Sequence, residues 1–170
     1  MSELESAIVV RIRVPASIDR VRRAHDRAAR LGVPAHVTIL YPFVPASELM
    51  PAIREDLRQI AGEFRAFDVT FTTAARWPGL VYLEPRPSSP FTALIDRVAA
   101  CFPEHPPYAG AISEVIPHVT VVENDEVPLD VILSAAQAAL PFEGRAEALD
   151  VLAQTDSGRW RRRWRIPFRP

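Results

Sequence analysis

The 170-residue chain lacks lysine, has one cysteine, and has no apolar run long enough to cross a membrane, which takes roughly 18 to 20 residues. All 20 basic residues are arginine, so a lysine Schiff base or a phosphate-loop lysine is excluded. The lone Cys101 excludes an internal disulfide and a zinc site made of several cysteines. We therefore expect no membrane association and no disulfide partner.

The formal net charge of −1 argues against a protein whose main task is to bind long nucleic acid through its phosphates. It leaves a small nucleotide or a short RNA as possible substrates. The polar, acidic start, Met1 to Glu5, lacks the basic and apolar regions of a secretory signal, so we expect a cytoplasmic protein. We expect a monomer that needs no cofactor.

Hydrophobic periodicity and turn residues predict alternating strands and helices along the chain. The predicted strands cover residues 7–14, 35–43, 66–73, 80–84, 116–123, 143–152 and 159–168, with a turn at 76–79. The predicted helices cover residues 17–31, 47–60, 91–102 and 129–140.

Both halves of the chain contain a strand, a helix, a strand with His-Val-Thr, a helix and a strand. This order predicts an internal duplication, with pseudo-repeat lobes at about 7–79 and 80–168 of a single domain. The expected fold is α+β: a duplicated strand-helix-strand-helix-strand unit that forms a two-lobed sandwich with a central cleft. Each strand–helix–strand arm is expected to be a right-handed crossover between parallel strands.

The paired motif itself is the most informative feature of the sequence. His36-Val37-Thr38-Ile39-Leu40 and His118-Val119-Thr120-Val121-Val122 lie 82 positions apart. Because side chains alternate along a strand, each motif presents its imidazole and hydroxyl on one face and buries its valine on the other. The spacing predicts that both imidazoles lie across one cleft and reach a single phosphate.

Two histidines suit displacement at a ribose phosphate. One takes a proton from the attacking oxygen and the other gives a proton to the departing oxygen, because imidazole titrates near about pH 6.5. The hydroxyls of Thr38 and Thr120 can donate to the non-bridging oxygens. Two histidines without neighbouring cysteines or HExxH spacing are too few to indicate a metal site. A single His-x-Thr could merely fill a half-buried strand position, but two equivalent copies favour catalysis.

At these residues the sequence resembles the 2H phosphoesterase superfamily, and within it the bacterial 2′-5′ RNA ligase-like proteins. The resemblance spans nearly the whole chain and includes Arg76-Trp77-Pro78 before the middle strand. It implies a bilobal fold, catalytic roles for His36 and His118, phosphate binding by Thr38 and Thr120, and cyclic phosphodiesterase or 2′-5′ ligase activity. Where relatives carry a basic residue after the second motif, this chain has the acidic segment 123–126. That departure favours hydrolysis of small nucleotides over RNA ligation.

Three further residues are candidates for substrate binding. Tyr41 could form a wall for a base, although strict alternation places it on the core side. Trp77 could overhang the cleft or merely cover the sheet. At period two, Arg162 shares a face with Trp160, Trp164 and Ile166, so it either contacts an anion in the groove or belongs to a solvated arginine row.

Two classes of function remain open. The first is an enzyme, a metal-independent phosphoesterase acting on 2′,3′-cyclic or 2′-5′-linked ribonucleotides. The second is a non-catalytic nucleotide- or RNA-binding module that uses the same cleft. The intact His and Thr of both copies favour the enzyme, whereas the acidic segment 123–126 favours the binding module.

Overall fold

The computed structural model describes residues 2–170. Within them, eight strands form one sheet: β1 (Ser6–Arg11), β2 (His36–Leu40), β3 (Phe67–Trp77), β4 (Leu80–Arg86), β5 (Val119–Glu123), β6 (Phe142–Ala146), β7 (Ala148–Gln154) and β8 (Trp160–Pro167). The helices are α1 (Ala16–His25), α2 (Arg27–Arg30), α3 (Pro51–Glu63), α4 (Ser89–Cys101) and α5 (Leu129–Ala138), with 3₁₀ turns at Ala46–Glu48 and Pro107–Gly110. The expected α+β class is confirmed.

The strand order is β6-β3-β4-β5-β2-β1-β7-β8, and every neighbouring pair in it is antiparallel. The expected parallel crossovers are therefore wrong. The reason is visible between β1 and β2, where Ile12 N donates to Ala35 O at 2.9 Å. This bond closes the two strands like a hairpin, so α1 and α2 form a long insertion in an antiparallel connection.

The connection between β6 and β7 shows that the sheet is curled. β6 is one edge of the sheet and β7 is next to the other edge, yet only Glu147 separates them in the chain. A flat eight-stranded sheet would put these strands some 30 Å apart at about 4.8 Å per strand, so the edges must approach each other. The single strand predicted over 143–152 is wrong because the chain passes between opposite ends of the sheet at Glu147.

One face of the sheet and the helices enclose the main core. The helices contribute regular apolar stripes, such as Phe91, Leu94, Ile95 and Val98 of α4, which recur every three to four residues. From the motif strands, the core takes Val37, Ile39, Val119 and Val121. A smaller cluster of Ala7, Val9, Val33 and Leu152 is separate from this core. The valine faces of both motifs are thus buried as predicted.

The two motif strands meet at the middle of the sheet. β2 and β5 are joined by one registered pair, Val37 with Val119, and they connect a half made of β6, β3, β4 and β5 to a half made of β2, β1, β7 and β8. Both halves draw strands from before and after residue 79, and the internal duplication stays a prediction. Within residues 2–170, none of the helices combines the length and apolar character that a membrane crossing needs.

Candidate active site

The pairing of β2 with β5 puts the four motif side chains on one face. Val37 lies opposite Val119, so extending the antiparallel register by one residue places His36 opposite Thr120 and Thr38 opposite His118. Residues one step from a buried pair point to the other side of the sheet. The two histidines are diagonal neighbours, a relation that separates Cβ atoms by about 7–8 Å.

The two imidazoles are held in the same way. His36 Nδ1 donates to Pro34 O and His118 Nδ1 donates to Ile116 O, each at a distance of 2.7 Å. A carbonyl oxygen can only accept, so each Nδ1 carries the proton and each neutral ring has its lone pair on Nε2. Each ring is therefore oriented by the backbone two residues earlier, with Nε2 left for chemistry.

The first motif is completed by Tyr108, which the sequence analysis missed. His36 Nε2 lies 3.1 Å from Thr38 Oγ1. Burial raises the pKa of Tyr108, and the nearby Thr38 hydroxyl opposes that shift. Because a threonine hydroxyl has one proton, Thr38 donates either to His36 Nε2 or to the Tyr108 oxygen. Tyr108 has a φ of 52°, a left-handed conformation that costs energy for a tyrosine and that is often found at functional sites. Its backbone nitrogen donates to Tyr41 O.

Both histidines are uncharged at neutral pH in the free protein. Burial lowers the pKa of His36 to about 4, and the nearby Arg22 and His118 add to the effect. Burial also lowers the pKa of His118, but the carboxylate of Glu123 opposes that shift. The electrostatic surroundings thus differ in sign: a cation acts on the first imidazole and an anion on the second.

Arg22, a buried arginine of α1, joins the second motif strand to the segment that leads into the first. Arg22 donates through Nε to Thr120 O at 3.2 Å and through a terminal nitrogen to Val33 O at 3.3 Å, and it lies 3.7 Å from Asp26 Oδ2. Asp26 in turn accepts from the backbone nitrogens of Ala29 and Glu123. No local pattern distinguishes Arg22 in the sequence, because it resembles the exposed arginines around it. Asp26, which caps α2, does carry a local capping signal.

An aromatic group surrounds the second histidine. Trp77 stacks on Tyr82 with ring centroids 4.0 Å apart, and the two rings meet His118 edge-on at 5.0 and 5.7 Å. Trp77 is the last residue of β3, so the predicted turn at 76–79 begins too early. The structure thus brings Trp77 to the site. Tyr82 joins it because it pairs with Thr120 across β4 and β5.

Strict alternation predicts that Tyr41 lies on the side of the main core, but it lies outside that core. It packs against the smaller cluster, which contains Val9, the residue opposite Thr38. The strand ends at Leu40, and the β1–β2 register shifts at Ile8 and Val9, so alternation does not extend to Tyr41. Its hydroxyl donates to Glu5 at 2.9 Å, and burial and this contact raise its pKa to about 12. A role in base binding stays a prediction.

Arg162 lies on the same face of the sheet as the two histidines, but the predicted grouping of side chains along β8 is wrong in part. The register of β7 with β8 shifts between Val151 and Leu152, which leaves Arg163 as an extra residue. Trp160 therefore packs with the smaller cluster, whereas Trp164 and Ile166 belong to the main core. Arg162 contacts Asp150 at 3.8 Å.

The acidic segment after the second motif is anchored to α1. Asn124 donates to His25 O and its backbone nitrogen donates to Gly79 O, while the backbone nitrogen of Glu123 donates to Asp26. Within residues 2–170, no group of three or more His, Cys, Asp or Glu side chains is placed to hold a metal ion.

Solved structures show that the chain has the fold of LigT. LigT of E. coli, crystallised with NADP+, is 18% identical, is matched over 100% of both chains and has a TM-score of 0.57. The complex of LigT with 3′-AMP gives 18% and 0.56 over 99% of this chain and 100% of that one. The protein TT0787 of Thermus thermophilus gives 15% and 0.63 over 97% and 98%.

The sequence itself assigns the family. The model of the 2′-5′ RNA ligase superfamily matches residues 10–158, so the chain belongs to that superfamily of 2H phosphoesterases. No curated protein matches the sequence.

Proposed function

We propose that this protein is a metal-independent phosphoesterase that hydrolyses 2′,3′-cyclic or 2′-5′-linked ribonucleotides with His36 and His118. One observation carries the proposal: two imidazoles on one face, each with Nδ1 committed to a backbone carbonyl and with an unprotonated Nε2. A nucleotide substrate also agrees with the ligands in the LigT crystals, which include 3′-AMP, ATP and NADP+.

The proposed reaction is an in-line displacement at phosphorus. One neutral histidine accepts a proton through Nε2 from the attacking water, whose oxygen forms the new bond to phosphorus. The other histidine, protonated, gives its Nε2 proton to the departing ribose oxygen as the old P–O bond breaks. When substrate binds, the Thr38 hydroxyl is proposed to turn from His36 to a non-bridging oxygen, and Thr120 donates to another, where negative charge builds up. In the reverse direction the two histidines exchange roles.

A bound phosphate can provide the protonated histidine that this scheme needs. Both histidines have lowered pKa values in the free protein, so an acid must be created when substrate binds. A phosphate anion beside an imidazole favours the protonated ring, as any opposite charge does. Because Glu123 already favours the charged form of His118 and Arg22 disfavours that of His36, ring opening is proposed to use His118 as acid and His36 as base.

The deciding experiment measures turnover of 2′,3′-cyclic nucleotides in excess EDTA. We expect turnover to persist with EDTA and to be lost in H36A and H118A, while both variants still bind 3′-AMP. Turnover abolished by EDTA and restored by a divalent cation would contradict the metal-independent scheme. A wild-type protein that binds nucleotides tightly but turns over no cyclic or 2′-5′-linked substrate would instead be a binding module.

A further inference from the structure

A buried carboxylate lies on the histidine face but takes no part in the proposed reaction. Asp150 of β7 is 1% exposed, and within residues 2–170 its Oδ1 has no hydrogen-bond partner. It lies opposite Val9 of β1, which in turn lies opposite Thr38 of β2. Directly opposite residues share a face, so Asp150 is on the same side of the sheet as the two motifs.

Three arginines surround this carboxylate. Arg162 and Arg165 of β8 lie 3.8 and 3.7 Å from its two oxygens, and Arg11 of β1 adds a third positive charge. Arg11 lies directly opposite His36. We call Asp150 with Arg11, Arg162 and Arg165 the arginine cluster. Arg165 also pairs with Glu147 at 3.0 Å. The three arginines still outnumber the two carboxylates, Asp150 and Glu147, so the net charge here is positive.

The contacts within the arginine cluster leave donors free. Both distances to Asp150 exceed a hydrogen bond, and the side chains of Arg162 and Arg165 are 47% and 39% exposed. The buried carboxylate holds the two guanidinium groups beside each other without using up their N–H groups. Paired guanidiniums with free N–H groups match the geometry of phosphate oxygens.

The distance from the histidines suits a second phosphate of the same substrate. β7 is two strands from β2, so at about 4.8 Å per strand Asp150 lies about 10 Å from Thr38, and Arg11 lies between these strands, opposite His36. The intervening strand presents Ala7 and Val9, which belong to the smaller apolar cluster. A reacting phosphate at the histidines and another phosphate at the arginines would then be bridged by the nucleoside across this apolar strip.

We propose that the arginine cluster binds a second phosphate of the substrate, so that the protein selects ribonucleotides carrying two phosphate groups over those carrying one. This rests on the proposed function for the position of the reacting phosphate. The second phosphate belongs either to the 5′ position of a mononucleotide or to the next internucleotide linkage of a short RNA.

Binding without turnover tests the proposal. Affinities for 3′-AMP, adenosine 3′,5′-bisphosphate and a diadenosine with a terminal 3′-phosphate are measured by calorimetry at one salt concentration, for wild type, R162Q, R165Q and R161Q. Arg161 is the matched control, because it pairs with Ala153, which packs on the main core, and its loss removes the same charge from the same strand.

We expect wild type to bind at least one two-phosphate ligand about 10-fold more tightly than 3′-AMP, as charge-assisted hydrogen bonds to phosphate allow. R162Q and R165Q should each reduce that advantage several-fold, and R161Q should retain it. The ligand with the larger advantage identifies the source of the second phosphate. Equal affinity for all ligands in wild type, or an equal loss in R161Q and R162Q, would overturn the proposal.

The outcomes also separate this proposal from the proposed function. Preference for two phosphates in a protein without turnover would refute the enzyme and keep the arginine cluster as a ligand site. Turnover of cyclic nucleotides without such a preference would support the enzyme and refute the arginine cluster as a phosphate site.

Discussion

The two His-Val-Thr segments have the same sequence and the same backbone hydrogen bond, yet their surroundings differ. His36 of β2 is hydrogen-bonded to Thr38, which lies near the Tyr108 hydroxyl, and it has the buried Arg22 nearby. His118 of β5 lies against the edges of Trp77 and Tyr82 and near Glu123. The motif therefore sets ring orientation, whereas residues outside the motif set the charge that each ring favours.

This difference gives two similar imidazoles two different properties. Burial lowers both pKa values, but the first ring is further discouraged from taking a proton and the second is encouraged. An acid and a base can thus be distinguished before substrate binds. The experiments below test the contrast from the largest expected effect to the smallest.

Removing both histidines together tests whether they act as a pair. We expect H36A and H118A each to lower kcat for a 2′,3′-cyclic nucleotide by about 10²–10⁴-fold, the usual contribution of a general acid or base. The double variant should be little worse than the worse single variant, because residues that act as a unit are not additive. Steady-state kinetics measures this, and losses that multiply would mean that the histidines act in separate steps.

Removing Arg22 breaks the connection between the two strands. R22A leaves Asp26 as an uncompensated buried charge, so we expect it to lower the free energy of unfolding by about 3–5 kcal/mol. R23A is the matched control, since Arg23 is 76% exposed and pairs with Asp19 at the surface; its loss should cost about 0.5 kcal/mol or less. Urea unfolding compares them, and similar losses would contradict the structural role of Arg22.

The lowered pKa of His36 should appear in the pH dependence of stability. An unfolded histidine takes up a proton below about pH 6.5, whereas folded His36 does so only near about pH 4, so stability falls as the pH drops between these values. Between pH 6.5 and 4.5 we expect wild type to lose about 2 kcal/mol more than H36Q. Urea unfolding at both pH values measures the difference.

H118Q provides the comparison in the same experiment. Because Glu123 opposes the lowering of the His118 pKa, we expect H118Q to reduce the loss of stability at low pH by less than H36Q does. Equal relief by the two variants would mean that the two rings are electrostatically alike.

Tyr108 should have the smallest effect, and it should act through Thr38. We expect Y108F to lower kcat/KM about 5-fold, corresponding to about 1 kcal/mol for one hydrogen bond. If Tyr108 only positions the threonine hydroxyl, the Y108F/T38V double variant will match T38V alone. Additive losses would show that Tyr108 contacts the substrate independently.

Local patterns in the sequence predicted the motif strands well, but contacts between distant segments escaped them. Alternation identified which side chains of 36–39 and 118–121 share a face because a strand has a fixed period. It failed at Leu40 and Val122, which lie in the main core because the register shifts beside them. It also failed at Glu147 and at Arg163, where a sharp connection and an extra residue interrupt the period. Tyr108 and Arg22 could not be found this way, since their roles come from segments that meet only in the folded chain.

The antiparallel order was missed for a similar reason. Strand–helix–strand sequences usually give parallel neighbours, and only the contact between Ile12 and Ala35 shows that this helical segment returns the chain to the same end of β1. The family resemblance supplied the overall class, but the pairing of the strands had to come from the structure.

The arginine-rich β8 affects whether two molecules can associate through the edge of the sheet. As the last strand of the sheet formed by residues 2–170, it has one side without a strand neighbour. Such a border invites a second molecule to add its own strand, and side chains of like charge discourage that approach. With Arg161, Arg162, Arg163 and Arg165 along this edge, two copies meeting there would repel each other, so we expect this edge not to pair with a second copy.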